Sequence, residues 1–321
     1  MAPPRITVLG SLNIDLVAYV PHHPAPGETM TADSVAVSPG GKGANQAVAC
    51  AKLSRSRPSP SPFQPSSTPS TSSSPEEEEN ETAHISMLGA VGADTYGALL
   101  RTNLSAHGVD VSGVSVRDGL KTGMALIVVD QPSGQNRIIL SPEANHALLP
   151  DEADALLGLK GEEKADLLIM QLEIPLPTVL RALEAAREAG VAVLLNPAPA
   201  QTLPRSAYDG LAHLVGRGGF LGKGVRNVIV TLGGRGVFYM SGDGGGVVKK
   251  ELVEAEKARV VDTTAAGDTF VGQYALEVVM AGRNGGEFDI EEAVRKANRA
   301  AAKTVERAGA QDSIPWRDEL V

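Results

Sequence analysis

The chain has 321 residues and a formal net charge of −9, and it carries no basic patch, which argues against nucleic acid as a partner. Its single cysteine, Cys50, excludes an intramolecular disulfide framework, and no stretch approaches the ~20 apolar residues that cross a bilayer. These features, with no secretory signal evident at the N-terminus, predict a soluble protein of the cytoplasm, with the nucleus as a further compartment.

Apolar runs of strand length alternate with helical patterns along most of the chain, which predicts βα units and a largely parallel sheet. The predicted core strands are residues 6–10, 84–89, 166–170, 191–196 and 227–232. The predicted helices are residues 43–53, 95–107, 177–189, 267–281 and 291–307, and alanines at helical spacing (Ala297, Ala300, Ala301) should let the last two pack closely. The fold class is therefore α/β, in a single domain over residues 1–321.

Two segments do not follow this rhythm and predict a small second sheet. Residues 16–20 with 30–37, and residues 123–129 with 135–140, have the pattern of short strands joined by polar turns, and residues 130–134 have the composition of a hairpin turn. We expect four short antiparallel strands, near residues 15–37 and 123–140, that form a lid over a cleft.

A segment rich in Ser, Pro and Glu lies at residues 54–82. It lacks the apolar content that offsets the entropy of chain ordering, so we expect a disordered surface insertion without a catalytic role. The cost of closing a loop rises slowly with its length, so the fold can accept it.

Residues 262–270, Asp-Thr-Thr-Ala-Ala-Gly-Asp-Thr-Phe, precede a helical pattern and form the strongest local motif. Small residues at a helix start expose backbone N–H groups, and the helix dipole adds to their field, which suits a transferring phosphoryl group. Asp268 within this motif then has a role if it accepts the proton of a substrate hydroxyl. The alternative, equally open on this segment alone, is that Asp268 merely caps the helix.

A second glycine-rich turn enters a helix at residues 38–46, Ser-Pro-Gly-Gly-Lys-Gly-Ala-Asn-Gln. It is not a Walker A loop, because no Ser or Thr follows Lys42 and the glycine spacing differs. Its glycines allow close backbone approach to a ligand, and Lys42 and Asn45 offer hydrogen-bond donors. Glycine turns before helices are also common without any ligand.

Polar residues follow three of the predicted strands, at the sheet edge where open α/β folds bind ligands. Asn13 and Asp15 are spaced to point the same way and to hold neighbouring sugar hydroxyls, and Glu173 offers another contact. The glycine turn at residues 231–236 has a backbone able to pass over a nucleotide. The pair of Asn13 and Asp15 is equally compatible with a polar strand end. No His/Cys cluster has metal-site spacing, and Cys50 is predicted to be packed.

Taken in order, these segments resemble the ribokinase-like (PfkB) carbohydrate kinase family. The resemblance runs from residue 6 to about residue 316, apart from the insertion and one gap, and is most specific in four motifs: residues 40–46, 196–200 (Asn-Pro-Ala-Pro-Ala), 265–270 and 309–316. It implies a three-layer αβα core with a mostly parallel sheet and a small β-sheet lid.

The same resemblance implies roles for individual residues. Asp268 would be the general base, and the backbone amides of Ala265, Ala266 and Gly267 would form the anion hole. Substrate contacts would come from Asn13, Asp15, Gly41, Lys42, Gly43, Ala44, Asn45, Glu173 and Asp268. ATP contacts would come from Thr231, Gly233, Gly234, Arg235, Gly236, Gly267 and Asn298. The family's potassium site would map onto Asp262, Thr264, Thr304, Arg307, Gly309 and Ser313.

The implied reaction is transfer of the ATP γ-phosphoryl group to the 5-hydroxyl of D-ribose, with Mg²⁺ bridging the phosphates and K⁺ tuning the anion hole. The alternatives are a kinase of another sugar or nucleoside and a catalytically impaired relative. Low aromatic content offers few rings to stack a nucleoside base and favours a small sugar. D-ribose and ATP are the expected partners, with no nucleic acid or membrane, and the lid is the expected contact of a homodimer.

One departure from the family pattern concerns an Asn-x-x-Glu motif, which the family carries on a strand–helix unit after the Asn-Pro-Ala-Pro-Ala segment. Here residues 211–215 run directly into residues 216–224, and no Asn-x-x-Glu follows before the strand at residue 227. A βαβ unit takes ~30 residues or more. We therefore expect most of this unit to be missing, with a broken sheet near the nucleotide, unpaired backbone groups, marginal stability and weak use of ATP.

Overall fold

A computed structural model of the chain describes residues 2–58, 81–151, 164–208, 211–216, 225–242, 247–283 and 288–320. Its thirteen strands within those ranges are β1 Arg5–Leu9, β2 Asn13–Val20, β3 Ser34–Gly40, β4 His84–Gly92, β5 Val114–Arg117, β6 Gly123–Asp130, β7 Asn136–Ser141, β8 Leu167–Met170, β9 Ala192–Leu195, β10 His213–Gly216, β11 Asn227–Thr231, β12 Val237–Gly242 and β13 Val247–Val253.

The α-helices of the same ranges are α1 Lys42–Ser54, α2 Thr95–Ala106, α3 Leu176–Glu188, α4 Ala266–Arg283 and α5 Ile290–Val305. Side-chain caps fix the start of two of them. The Asp94 carboxylate accepts a hydrogen bond from the Gly97 N–H at the start of α2, and Asp289 accepts from the N–H groups of Glu291 and Glu292 at the start of α5. Within the described residues, none of the helices is both long and apolar enough to cross a membrane.

The main sheet has nine strands in the order β13-β12-β11-β10-β9-β8-β1-β4-β5. The pairs from β11 to β5 are parallel, and β12 and β13 add an antiparallel edge. The predicted α/β class and mostly parallel sheet are confirmed. Sequence reasoning missed the short strands β5 and β10 and the edge pair β12 and β13.

Two hydrophobic clusters cover opposite faces of this sheet, as the period of two along a strand requires. On β8, Leu167 and Ile169 pack with α1, α4 and α5, whereas Leu168 and Met170 pack with α3. The core is therefore three-layered. Ala297 and Ala300 are fully buried, as the small-residue pattern predicted.

Helix α1 lies very close to helix α4, at the point where the single cysteine is buried. A Cβ added to Gly272 would lie 2.6 Å from the Ala49 Cβ and 2.9 Å from the Cys50 nitrogen. Burial raises the pKa of the Cys50 thiol to about 12, and its Sγ lies 3.8 Å from the Gly272 carbonyl oxygen. The prediction that Cys50 is packed is confirmed, and the close contact joins the two helices that begin at the site.

The second sheet has four strands in the order β3-β2-β6-β7. Both hairpins are antiparallel, as expected, but the central pair β2–β6 is parallel, so the prediction of a fully antiparallel sheet is wrong. The reason is chain connectivity. No hairpin joins β2 to β6, and each enters the small sheet from the main domain, β2 after β1 and β6 after β5.

The expected bounds of the Ser/Pro/Glu-rich insertion, residues 54–82, are too wide at both ends. Ser54 is buried at the end of α1, and its carbonyl oxygen accepts hydrogen bonds from Thr82 and from the Arg317 guanidinium. Arg55 and Glu81 form an ion pair with a nitrogen–oxygen distance of 2.6 Å. These flanks belong to the packed body because their polar groups are paired. The rest of the predicted insertion, residues 59–80, lies outside the described residues.

The expected break in the sheet near residues 211–227 is also corrected. Strand β10 pairs in parallel with β9 at His213 and Leu214, and with β11 from His213 to Gly216. The strand of the unit is therefore present, and it supplies the backbone partners that we expected to be lost. The shortened part is the connection from β10 to β11, of which residues 217–224 lie outside the described residues.

Candidate active site

The predicted functional side chains converge at the carboxyl ends of the central parallel strands, where helices α1 and α4 begin. Asp268 is the third residue of α4 and is 7% exposed. One carboxylate oxygen, Oδ2, accepts a hydrogen bond from the Asn45 amide nitrogen (3.1 Å), and the other, Oδ1, accepts from Gln46 Nε2 (2.9 Å). The side chain thus lies inside the first turn and is engaged by α1, which favours a role beyond capping.

The segment that precedes Asp268 presents backbone N–H groups at the start of α4. Ala265 adopts a left-handed backbone (φ 58°), and its carbonyl oxygen accepts from both the N–H and the hydroxyl of Thr269. Gly267 is exposed, and a Cβ placed on it would meet no atom within 4 Å. The first N–H groups of a helix have no intrahelical acceptor and carry its positive partial charge. This end of α4 can therefore accept an anion.

The glycines before α1 are required by contacts with the protein's own backbone. Gly41 has φ 88°, and a Cβ there would lie 2.7 Å from the Asn13 nitrogen. A Cβ on Gly43 would lie 2.7 Å from the Ser11 nitrogen. The sequence predicted a close approach to a ligand, whereas the approach seen in the structure joins the turn to the β1–β2 connection. It places Lys42 and Asn45 beside the polar end of β1.

Glu173, which follows β8, is tied to the same turn. Its Oε2 accepts hydrogen bonds from the Ser11 hydroxyl (2.6 Å) and from the Lys42 backbone N–H (3.1 Å). Ser11 is a site residue that sequence reasoning missed, although it lies beside the quoted Asn13. The carboxylate is half-buried, so part of it remains accessible to a ligand.

Asp15 lies two residues after Asn13 on β2, and both side chains are buried. Burial is the largest cause that raises the pKa of Asp15 from 3.8 to about 7, and the charges of Glu173 and Asp268 raise it further, against the opposing effect of Lys42. Glu173, Asp268 and Lys42 act on the pKa of Asp15 because all four residues lie in a single site.

Asn145 is a buried residue of this site that no motif indicated. Its Oδ1 accepts from the Leu12 N–H (2.9 Å), and its Nδ2 donates to the Leu12 carbonyl (3.1 Å) and to Asn13 Oδ1 (2.8 Å). A Cβ on Gly123 would collide with both amide side chains. Asn145 therefore fixes the rotamer of Asn13 from the segment that follows the lid.

A second group that sequence reasoning missed lies behind Asp268. Gln46 Nε2 also donates to Asn196 Oδ1 (3.0 Å), while Gln46 Oε1 accepts from Gln171 Nε2 (2.6 Å). Asn196 Nδ2 donates to the Val215 carbonyl (2.6 Å). Gln46 and Asn196 belong to the motifs at residues 40–46 and 196–200, but neither motif predicted which groups they contact.

Six of the seven residues predicted for ATP, all except Gly267 at the start of α4, lie together at one end of the sheet. Residues 233–235 form an exposed 3₁₀ turn between β11 and β12, and a Cβ on Gly236 would lie 2.1 Å from the Val253 carbonyl oxygen. Asn298 Nδ2 on α5 donates to the Glu254 carbonyl oxygen (3.2 Å), next in sequence to Val253. The structure therefore brings the glycine turn, the segment after β13 and Asn298 to one surface.

The residues predicted for potassium lie behind the start of α4. Asp262 accepts hydrogen bonds from the N–H and hydroxyl of Thr264 (2.9 and 2.7 Å) and from the Gly309 N–H (3.0 Å). Thr304 Oγ1 lies 2.9 Å from Thr269 Oγ1, which in turn donates to the Ala265 carbonyl oxygen. This arrangement links the loop to the predicted anion hole. The other predicted side chains are engaged locally: Arg307 pairs with Glu319, and the Ser313 hydroxyl donates to Ala310.

Across the part of the chain that the structure describes, no group of three or more His, Cys, Asp and Glu side chains is placed to hold a metal ion. Mg²⁺ in phosphoryl-transfer sites is held by substrate phosphates, water and one or two carboxylates, so such a cluster is not required for it.

The model of the pfkB family carbohydrate kinases matches residues 3–216 and 218–317. The chain belongs to this family. It is 36% identical to the ribokinase of Schizosaccharomyces pombe, over 97% of this chain and 95% of that protein. Among solved structures it is similar to the ribokinase of Thermotoga maritima (35% identity, TM-score 0.75, 98% of this chain and 97% of that one). It is also similar to Arabidopsis thaliana ribokinase complexed with ribose and ATP (28% identity, TM-score 0.77, 100% and 98%).

Membership of the family confirms the resemblance and the ribokinase-like α/β fold, and it makes the chain a carbohydrate kinase that transfers a phosphoryl group to an alcohol. The roles of the individual site residues remain predictions, which the geometry described above supports.

Proposed function

We propose that this protein phosphorylates D-ribose at O5 with ATP. The observation that carries the proposal is the buried Asp268 carboxylate at the start of α4, within one site with Asp15, Lys42 and Glu173. A carboxylate next to a helix N-terminus serves a kinase that must accept a hydroxyl proton and stabilise phosphoryl charge at one point. The Arabidopsis thaliana ribokinase to which the chain is similar is complexed with ribose and ATP.

Sugar recognition would come from the residues at the ends of β1, β2 and β8 and the start of α1. The resemblance gives this role to Asn13, Asp15, Gly41, Lys42, Gly43, Ala44, Asn45 and Glu173. Ionised carboxylates accept hydrogen bonds and side-chain amides both accept and donate, so together they match neighbouring hydroxyls on one sugar face. Asn145 holds Asn13, and Ser11 holds Glu173, so both recognition groups are oriented before a sugar arrives.

Asp268 would then accept the proton of the 5-hydroxyl as its oxygen attacks the γ-phosphorus. Each carboxylate oxygen accepts one described hydrogen bond from α1 and keeps a further lone pair for this proton. The amides of Ala265, Ala266 and Gly267 would stabilise the charge on the transferred group. The ADP leaving group would be held by Thr231, Gly233, Gly234, Arg235, Gly236 and Asn298.

Two ions would assist. Mg²⁺ would arrive with ATP and would offset the negative charge of its phosphates. K⁺ would bind behind the anion hole at Asp262, Thr264, Thr304, Arg307, Gly309 and Ser313. The Asp262 carboxylate already accepts three hydrogen bonds. The K⁺ ligands would therefore be mainly backbone carbonyl oxygens of these loops. Exchange of sodium for potassium tests the K⁺ part of this proposal.

The small sheet would act as the lid of this single domain and as the contact of a homodimer. Its strands expose apolar side chains to solvent: Val35, Val37, Leu126, Ile138, Ile139 and Leu140. An exposed apolar group of this size marks an interaction surface.

We place the protein in the cytoplasm, because it consumes ATP and its lone cysteine is a free buried thiol, with the nucleus as the further expectation.

The test is ATP turnover across a panel of D-ribose, 2-deoxy-D-ribose, D-fructose and nucleosides, with product position assigned by phosphorus NMR. We expect the highest kcat/KM for D-ribose and phosphorylation at O5. Faster turnover of another sugar or of a nucleoside would support the alternative kinase. Binding of ribose without any turnover on the panel would support the impaired relative.

A further inference from the structure

Three side-chain amides, those of Gln46, Gln171 and Asn196, and the Val215 backbone carbonyl form a continuous hydrogen-bonded arrangement behind Asp268. Gln46 is fully buried, and its Nε2 donates both of its hydrogens, one to Asp268 Oδ1 (2.9 Å) and one to Asn196 Oδ1 (3.0 Å). Its Oε1 accepts from the equally buried Gln171 (2.6 Å). Every polar atom of the Gln46 amide is therefore used, and Asp268 depends on which way that amide faces.

The orientation of the amides is decided at strand β10. The Val215 carbonyl can only accept, so Asn196 must present its Nδ2 to it, at 2.6 Å. Asn196 consequently presents its Oδ1 to Gln46, which must donate a hydrogen bond from its Nε2. The reversed Gln46 would set its oxygen against the acceptors of both Asn196 and Asp268 and leave buried groups unpaired, at a cost that native proteins avoid.

We infer that Gln46 is the positioning residue of the Asp268 carboxylate, and that its orientation is set through Asn196 by the backbone of β10. The inference rests on the proposed function of Asp268 as the general base. It adds a coupling across the cleft, because β10 is the strand that precedes the shortened connection to β11. The strand nearest that departure from the family pattern thus orients the base on the sugar side.

The arrangement acts on Asp268 in two ways. A donor at 2.9 Å holds one carboxylate oxygen in place, and it also favours the ionised form that accepts a proton. The charged groups that face the same site are Asp15 on β2, Glu173 after β8 and Lys42 on α1. None of these three changes when Gln46 or Asn196 is replaced, so a shift in the pH profile reports the lost amide donor.

The principal test is Gln46→Met, which keeps the length of the side chain and removes the amide. We expect kcat to fall by roughly 10- to 100-fold, since a small misplacement of a catalytic group costs up to ~100-fold. The sugar KM should stay close to the wild-type value. The acidic limb of the kcat–pH profile should move to higher pH, an effect that a general loss of packing does not produce.

Asn196→Leu tests the coupling without altering a contact of Asp268, and it serves if Gln46→Met fails to fold. It should shift the acidic limb in the same direction by a smaller amount. The double variant should be no worse than Gln46→Met alone, because both changes remove one interaction. The matched control is Gln273→Met on α4, whose Nε2 donates to Glu277 at 2.8 Å, away from the base; its kcat and pH profile should match wild type.

A direct readout separates this inference from the proposed function. Carbon-13 NMR of labelled aspartates, with Asp268 assigned by Asp268→Asn, should show a changed chemical shift of the Asp268 carboxylate carbon in Gln46→Met and Asn196→Leu, whatever the sugar. An unchanged chemical shift of the Asp268 carboxylate carbon, or wild-type kcat and pH profile in Gln46→Met, would overturn the positioning role. Absence of ribose turnover in the wild type, with the NMR shift present, would overturn the proposed substrate and leave the positioning role standing.

Discussion

The proposed sugar side of the cleft is buried and bound by side-chain hydrogen bonds, whereas the proposed nucleotide side is an exposed turn. Asn13, Asp15 and Asp268 are each less than 10% exposed, and each lies among buried neighbours from other elements. Residues 233–235 are exposed, and the turn is closed by the Leu232 N–H to the Gly236 carbonyl oxygen at 2.8 Å. The first region is oriented by tertiary contacts and the second by local backbone geometry.

The two regions therefore differ in how much of their geometry is fixed before a substrate binds. A base that must meet one hydroxyl needs its geometry fixed before the substrate binds, because orientation contributes a large share of the rate. A flexible polyphosphate can be held by backbone groups of a glycine turn, which tolerate variation in sequence. Strand β10, which precedes the shortened connection to β11, is linked to the sugar side through Asn196 and Gln46.

The largest expected effect is on the base itself. Asp268→Asn keeps the shape of the side chain and removes its ability to accept a proton, so we expect kcat to fall by roughly 10²–10⁴-fold with little change in ribose affinity. Steady-state kinetics and calorimetric titration of ribose measure the two quantities. Asp289→Asn, the same change at the start of α5, is the control and should keep wild-type kcat. Retention of more than about a tenth of wild-type kcat in Asp268→Asn would refute the assignment.

The next effect concerns the nucleotide side. Inserting a segment with Asn-x-x-Glu after β10, between Gly216 and Phe220, should lower the KM for ATP and raise kcat by on the order of tenfold or more, since contacts to charged phosphates are strong. Ribose affinity should not change. The melting temperature should also stay near that of the native chain, because β10 already pairs with β9 and β11. An insertion without Asn and Glu is the control, and equal ATP kinetics for both insertions would contradict the prediction.

The buried Asp15 should give the chain a characteristic pH dependence. Its pKa of about 7 lies above the ordinary 3.8. The native state therefore binds more protons than the unfolded state between about pH 4 and pH 7, and the free energy of unfolding should fall as pH rises through that window, by at most ~1.4 kcal/mol per pH unit. Urea unfolding at several pH values measures this slope.

Asp15→Asn should reduce that slope, because the amide does not titrate, whereas Asp33→Asn, at an exposed position before β3, should keep it. A slope that is the same in wild type and Asp15→Asn would show that Asp15 is ionised throughout the window.

A smaller effect is expected from the cation loop. Exchange of sodium for potassium at constant ionic strength should raise turnover several-fold, because Asp262, Thr264 and Thr304 connect this loop to the start of α4. Asp262→Asn should lose most of the response. Equal rates in the two salts would remove the six cation residues from the site.

The smallest effect is expected from the insertion. Replacing residues 59–80 with a short Gly/Ser linker should leave kcat/KM for ribose essentially unchanged, since loop closure depends weakly on length. The flanks are different: Arg55→Ala breaks the ion pair with Glu81 and the contact with the Gly108 carbonyl, and it should lower the melting temperature. A collapse of folding in the linker variant would show that the replaced segment packs or binds.

The α/β class, the positions of the five described helices and the local motifs could be predicted from the sequence, because they depend on periodicity and on residues close together in the chain. The convergence of Asp15, Glu173 and Asp268 followed from the resemblance and from the rule that strand ends share one edge of a sheet. Strand β10 was missed because four residues carry little periodic pattern, and its pairing with β9 and β11 decides it.

Only the tertiary structure decided the parallel pairing of β2 with β6, the amide chain from Val215 through Asn196 and Gln46 to Asp268, and the hold of Asn145 on Asn13. Each joins residues far apart in the chain. A hydrogen bond depends on the position and direction of both partners, and neither is set by residues near it in sequence. Composition and motifs could name the chemistry at the site, and the packing of distant elements determined how its groups are oriented.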